Sequence, residues 1–385
     1  MILQLISSNS PLTLIINVAF YVFIFISIFY GQKLQYFIYS RQLETALIKF
    51  KDMRDETKDL AKTKIIELRK RLESKGESES SKITNKDLDA FLDEFLQFVM
   101  IEPVALDPSG IIPKLDHLLD VRETRWEGVV RTLLPGIDSG NCSNMQNLLE
   151  AAVAVDNVYR VVRHFFVQGK KSGSLMIVMQ IAMQLKLIQQ MAEAYVKASK
   201  AFYYGQPIGD GLGPLVAATF SRLANPDGVP SREMCKDTIS QDVDYNGRRV
   251  IIVRAKGPGG TVGKPGEAIK MLVDEAKIDR ILMVDAAMKM EGEKSGTVIE
   301  GVGAAIGGVG TEKYKIEAST TAYNIPVDAF LCRENLVDAI TTMKKSISTS
   351  VKTVVEKVKN AIDTRTTEGD TVLLAGIGNT IGVGV

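Results

Sequence analysis

The stretch Arg249–Leu272, RVIIVRAKGPGGTVGKPGEAIKML, decides the fold. A β-branched run, Val250 to Val253, enters a glycine-rich loop, Gly257 to Gly266. An apolar-periodic segment follows at Ala268, Ile269, Met271 and Leu272. Strand, glycine loop and helix in that order aim backbone N–H groups at an anion. The stretch therefore predicts the ligand-binding edge of an α/β domain. It is not a P-loop: a match ending at Gly263-Lys264 needs glycine at 258 and Ser or Thr at 265, and prolines stand at both. Pro265 suits the first turn of a helix, with Lys264 at its anion-binding end.

The pattern continues toward the carboxyl terminus. Thirteen of the 31 glycines fall between Gly247 and Gly310, a density that brings backbone close to something or sets φ positive repeatedly. Arg280–Val284, RILMV, reads as a second strand ending in Asp285. Thr297–Glu300 is a short extended piece, Val327–Cys332 a further strand, and Asn335–Thr364 one long amphipathic helix. A last strand, Thr371–Ala375, runs into Gly376-Ile377-Gly378-Asn379-Thr380. Such alternation predicts a mostly parallel, Rossmann-like sheet covered on both faces, with ligands outside the carboxyl ends of its strands.

The residues predicted to meet a ligand are therefore Gly257, Gly259, Gly260, Thr261, Gly263, Lys264, Gly266, Asp285, Gly376, Gly378 and Asn379. Asp285, Glu291 and Glu293 form a candidate Mg²⁺ site, since that ion takes a few carboxylates plus phosphate oxygens, with Lys289 placed to meet the anion. The competing reading is a charged surface loop closed by ion pairs. Gly301-Val302-Gly303-Ala304-Ala305-Ile306-Gly307 is one residue longer than a dinucleotide fingerprint and equally fits tight helix packing.

The amino-terminal half is helical. Pro11–Tyr30 holds twenty residues without a charge, and a helix of that length spans about 30 Å, the thickness of the hydrocarbon core. No Lys or Arg precedes it, and Lys33, Arg41, Lys49 and Lys51 follow. Positive-inside logic gives a single-pass anchor in the cell membrane, amino terminus outside and the soluble part cytoplasmic. A cleaved signal peptide would carry a charged n-region and a small-residue cleavage site, and both are missing.

Arg41–Glu73 carries one apolar stripe, which either pairs in a coiled coil between copies or docks on its own domain. Ser74–Lys82 reads as a flexible linker. Thr84 or Asn85 caps the next helix, and the DPSG at Asp107–Gly110 opens another. Asn144–Phe166 and Ser174–Phe202 form a helical hairpin turning at Gly169–Gly173. Ser174–Leu185, apolar and Met-rich, reads as a buried core helix rather than a membrane-surface segment. Gln206–Pro214 is a connector, and Asn225–Pro230 is the best domain boundary. The expected division is 1–31 anchor, 32–82 charged juxtamembrane helix and linker, 83–228 all-α domain, and 229–385 α/β ligand-binding domain.

At 385 residues and a formal net charge of +1, the chain has no global pull toward nucleic acid, so bulk nucleic-acid binding is not expected. Three scattered cysteines without a C-x-x-C and only two histidines, His117 and His164, support neither a disulfide framework nor a zinc site.

At KGPGGTVGKPGEA, DAAMKMEGEKSG, EGVGAAIGG and GIGNT the chain resembles an uncharacterised archaeal membrane-protein family, domain-of-unknown-function family 1512, from the anchor to the last strand. The resemblance implies an archaeal, membrane-anchored protein and brings no activity, cofactor or residue role. The functional expectation is a membrane-anchored cytoplasmic protein that binds a phosphate-bearing or other anionic small ligand, such as a nucleotide or phosphorylated metabolite. The alternatives are a membrane-tethered homo-oligomeric scaffold and a Mg²⁺-dependent phosphoryl-transfer enzyme or phosphohydrolase.

Overall fold

The computed structural model describes residues 11–76, 83–104 and 110–384. Most of the expected linker at Ser74–Lys82 and most of the DPSG turn lie outside the described residues. The chain divides into two compact units. One takes the described chain up to Arg54 together with Asp156–Ala192, and the other takes Asp55–Val155 and Glu193 onward.

Helix α1, Pro11–Lys75, enters both units. Its apolar start is long enough to cross a membrane, and none of that window is buried. In the first unit Leu43, Ala46 and Phe50 of α1 pack against Val162 and Phe166 of α4, Ser139–Ser172, and Val178 of α5, Leu175–Tyr204. In the second unit Ala61, Ile65, Leu68 and Leu72 pack against α2, Leu88–Phe95, α3, Ile111–Leu133, and the first turns of α4. The stripe on Arg41–Glu73 is thus covered by helices of the same chain, and the second of its two expected uses is the one observed. Ser174–Leu185 departs from expectation. Val178 is buried there, but Met176 and Met183 are more than 70% exposed, so the segment is not a core helix.

The carboxyl-terminal sheet has seven strands: β1, Arg232–Cys235; β2, Thr238–Tyr245; β3, Arg248–Ala255; β4, Arg280–Met288; β5, Val298–Val302; β6, Val327–Glu334; and β7, Thr371–Gly376. Their order is β1-β2-β3-β7-β4-β6-β5. The centre, β3-β7-β4-β6, is parallel, whereas β1-β2, β2-β3 and β6-β5 pair antiparallel. The sheet is therefore mixed, not mostly parallel. The expected central strands are present because both their faces are buried. Val250, Ile252, Leu282, Val284, Val372 and Leu374 face α6, Leu212–Ala224, and α10, Lys345–Arg365. Ile251, Val253, Ile281, Met283, Leu373 and Ala375 face α7, Pro265–Glu275, and α8, Thr311–Ala322. Apolar residues at every position are the signature of such doubly covered strands.

Two features differ from expectation in detail. The turn at Asn225–Pro230 joins a helix and a strand of one sandwich, because Phe220 of α6 is 1% exposed against the sheet. The long helix after β6 is broken into α9, Leu336–Ile340, and α10. Asn335 caps α9 by accepting the Asp338 N–H at 2.7 Å. Between the two helices Thr342 bridges to Ile208, and the Met343 N–H donates to the Pro207 carbonyl at 2.8 Å. Tertiary hydrogen bonds thus replace the helical ones without a Gly or Pro in the sequence.

Candidate functional site: an acidic cavity at the ends of the central strands

The pairing of β4 with β7 ends at Val284–Gly376, while β4 runs on beside β6 to Met288. Asp285 is the first β4 residue beyond that step. There the Ile377 N–H donates back to the Val284 carbonyl at 2.8 Å. A cavity of about 430 Å³ opens at this place, outside the carboxyl ends of the parallel strands. Its floor is Asp285, Ala286, Ile377 and Gly378. Its walls are the loop Ile306–Gly310, the start of α7 at Gly263–Pro265, Asp210 from the 3₁₀ turn Gly209–Gly211, and the α3 residues Asp116, Leu119, Asp120 and Glu123.

The expected anion site in the loop after β3 is occupied by the protein itself. The Gly260 N–H donates to Asn144 Oδ1 at 2.7 Å and the Lys264 N–H to Thr238 Oγ1 at 2.7 Å. Gly263 donates to Thr261 Oγ1 at 3.1 Å. At the start of α7, Glu312 Oε2 accepts from the N–H groups of Gly266 and Glu267 at 2.7 and 3.2 Å. A carboxylate from α8 thus takes the position that a phosphate was expected to take.

The glycines of this loop permit close backbone approach. A Cβ at Gly259 would stand 2.8 Å from the Gly140 Cα, one at Gly257 would collide with the Val383 carbonyl, and one at Gly266 would collide with the Glu312 carbonyl. The loop is also tied to the carboxyl-terminal segment: Thr380 Oγ1 donates to the Gly259 carbonyl at 2.7 Å, and the Thr380 N–H donates to the Thr261 carbonyl at 2.9 Å.

Of the expected ligand residues, Gly263, Lys264, Asp285 and Gly378 reach the cavity. Thr261, Gly260 and Asn379 line an adjoining cleft of about 360 Å³ on the Trp126 side of Lys264. Gly257, Gly259, Gly266 and Gly376 are packing positions, Gly376 holding the Gly213 backbone against β7. The expected Mg²⁺ set does not assemble. Glu291 is exposed, and Glu293 accepts from the Met290 N–H at 2.7 Å and pairs with Arg333 at 3.4 Å. Among the described residues no group of three or more His, Cys, Asp or Glu is placed to hold a metal ion.

The charge of the cavity is the reverse of the one expected. Six carboxylates line it, from Asp116, Asp120, Glu123, Asp210, Asp285 and Glu312, against one ammonium, from Lys264. That lysine is held by Asp120 Oδ1 at 2.5 Å. Burial pulls its pKa down, but Asp120 outweighs this and the value is raised. The α3 acids lie on one helical face, at spacings of four, three and four. Asp116 meets Lys315 at 3.1 Å, Asp120 meets Lys264, and Glu123 and Glu127 meet Lys236 at 2.8 and 3.0 Å. Trp126 is the first fully buried apolar residue of α3, and Ile111, Ile112, Leu115, Leu118 and Leu119 before it are only half-buried, so ion pairs add to partial apolar packing in holding its first four turns over the cavity.

Deeper in, Asp285 is 6% exposed. Desolvation raises its pKa well above the usual range and Asp210 adds to this, against N–H bonds from Ala286 and Gly307. Asp210 is raised by desolvation against its bond from the Asn379 N–H, 2.7 Å long. Behind them Glu334, 2% exposed, has no hydrogen-bond partner on either oxygen except the weak thiol of Cys332 beside it. Desolvation, then Asp210 and Asp338, push Glu334 to about 8. Three desolvated acids that repel one another lead inward from the cavity floor. Sequence reading missed Asp210 because its GDG lies in a Gly/Pro break that passes for a connector. It missed the α3 acids because an acidic helix face usually means solvent; their regular spacing was the available signal.

No curated protein and no solved structure matches this chain. A model described as the N-terminal domain of a protein of unknown function (DUF1512) matches residues 17–205, and one described as the C-terminal domain of unknown function of DUF1512 matches 208–384. Together they span nearly the whole chain, which belongs to the DUF1512 family.

Proposed function

We propose that this protein is a single-pass, membrane-anchored receptor, with its amino terminus outside and its soluble part in the cytoplasm. Its Rossmann-like centre, β3-β7-β4-β6, binds a small ligand rich in hydrogen-bond donors, an ammonium or polyhydroxyl compound, at Asp285 and Asp210. The observation that carries this reading is the 430 Å³ cavity at the ends of β4 and β7, with six carboxylates and a single lysine already paired. Asp116, Asp120, Glu123 and Glu312 have lysine partners, whereas among the described residues Asp210 and Asp285 have only backbone N–H donors and no cation, which makes their ionised forms costly to bury. A cation or hydroxyl cluster set between Asp210 and Asp285 would relieve their repulsion and lower the pKa of both. The phosphate-bearing ligand expected from the glycine loop fits less well, because Glu312 and Asn144 already use that loop's amides.

The test is a thermal-shift survey of the full chain in detergent, with polyamines, amino sugars, polyols and phosphorylated metabolites, on the wild type and Asp285→Asn. Stabilisation by donor-bearing compounds that disappears in the variant is expected. Stabilisation by phosphorylated anions that survives in Asp285→Asn would overturn the reading.

A further inference from the structure

The first unit carries a surface that the cavity does not explain. Asn157–Ala192 contains five Lys or Arg and no Asp or Glu, and α1 has no acid from Pro11 to Leu43. The first acid on α1, Glu44, meets Lys170 of the α4–α5 hairpin at 3.4 Å. The hairpin also leaves large apolar side chains in the open: Met176 is 72% exposed, Met183 73% and Leu187 61%. On α1, Leu34 and Phe37 are 60% exposed. Beside them a groove of about 490 Å³ has Phe37, Ile38 and Leu185 on its walls, with Arg41 and Lys49 at its rim.

The height of this surface follows from helix geometry. Tyr36 and Tyr39 pack on the cluster that includes Phe166 and Val178. The hairpin turn therefore lies level with α1 residues six to fourteen beyond Tyr30, the end of the uncharged run. At 1.5 Å per residue that is about 9 to 21 Å along α1, a span that begins just outside the headgroup layer, within a side chain's reach of it, and extends into the adjoining water.

We infer that the tip of the α4–α5 hairpin docks on the anionic lipid surface around the anchor, its apolar side chains entering the headgroup layer and its cations meeting lipid phosphates. Basic, acid-free segments are drawn to anionic leaflets, and amphipathic helices bury an apolar face at the same boundary. Exposed methionine and leucine on the same hairpin as Arg163, Lys171 and Lys186 match that chemistry, while Arg160 and Lys170 are paired with Asp156 and Glu44. A soluble acidic partner would meet the cations but leave the apolar residues unexplained. The inference rests on reading the apolar start of α1 as a membrane anchor, and its test separates the two.

Spin labels are placed one at a time on the full chain at Val22→Cys, Met176→Cys and Met183→Cys in a Cys235→Ser background. The protein is reconstituted in nanodiscs with or without phosphatidylglycerol, and label accessibility to oxygen and to a water-soluble nickel complex is compared. The label at 22 is expected to read as lipid-embedded in both discs. Those at 176 and 183 should show a several-fold rise in the oxygen-to-nickel ratio only with phosphatidylglycerol, and Lys171→Glu with Lys186→Glu should abolish that rise. A lipid-embedded 22 with water-exposed 176 and 183 in both discs overturns the docking and leaves the anchor. So does shielding of 176 and 183 from both reagents, which marks a protein neighbour, or embedding that ignores phosphatidylglycerol. Water exposure at 22 overturns the anchor itself.

Discussion

Glu334→Gln should change how stability depends on pH. Glu334 is 2% exposed, and its pKa is raised from 4.5 to about 8, first by desolvation and then by Asp210 and Asp338. A carboxyl group that holds its proton longer folded than unfolded adds stability that is fully present below pH 4.5. That contribution falls as pH rises and is gone above about pH 8. The displacement is about 3.5 pH units, and at 1.36 kcal/mol per unit the full loss is on the order of 5 kcal/mol. Glutamine cannot ionise, so the variant loses nothing across this window. At roughly 2–4 °C per kcal/mol for a domain this large, the wild-type Tm should fall about 10 °C or more relative to the variant between pH 5 and pH 9. The assay is thermal unfolding of both full chains in the same detergent at the two pH values. Comparing variant with wild type cancels the titration of other acids to first order. A Tm difference that stays constant from pH 5 to pH 9 would refute the desolvated-acid reading of Glu334.

Three further outcomes are expected. Asp285→Asn removes a desolvated charge beside Asp210 and should leave Tm near neutral pH equal or higher while abolishing ligand-induced stabilisation, a trade of function for stability; a large Tm loss would contradict it. The ion pairs of Asp116, Asp120 and Glu123 are worth about 0.2–1 kcal/mol each and weaken with salt, so hydrogen exchange across residues 111–123 should speed up several-fold in high salt while the core around Trp126 keeps its rate; equal salt response in both segments would count against a salt-sensitive cover. Gly257→Ala would drive a methyl group into the Val383 carbonyl, whereas Gly307 has nothing within 4 Å of its Cβ position; the first should cost about 2 kcal/mol or more and the second stay within about 0.5 kcal/mol, both read from unfolding midpoints.

The central strands were legible in the sequence because each is buried on both faces, so Val250–Val253, Ile281–Val284 and Val372–Ala375 carry no polar interruption. The hairpin β1-β2 was not: Gln241, Asp242 and Asp244 break the apolar run of β2, and the strand lies toward an edge. The break between α9 and α10 depends on partners in Pro207 and Ile208, which no local pattern announces. The place of the candidate site was legible, since Asp285 and the segment after β7 both meet at the cavity. Its charge was not. A glycine-rich loop before a helix looks the same whether its amides await a phosphate or receive Glu312 and Asn144 from distant helices. At Gly257 and Gly259 the glycine density reported close packing against the carboxyl-terminal segment and α4.

The most direct measurement is an experimental map of the full chain, purified in lipid nanodiscs without added ligand and then with the best compound from the thermal-shift survey. Density for that compound within hydrogen-bond distance of both Asp285 and Asp210, under an ordered α3, is the predicted result. The compound resting elsewhere, or a cavity filled by the protein's own side chains in both maps, would contradict it.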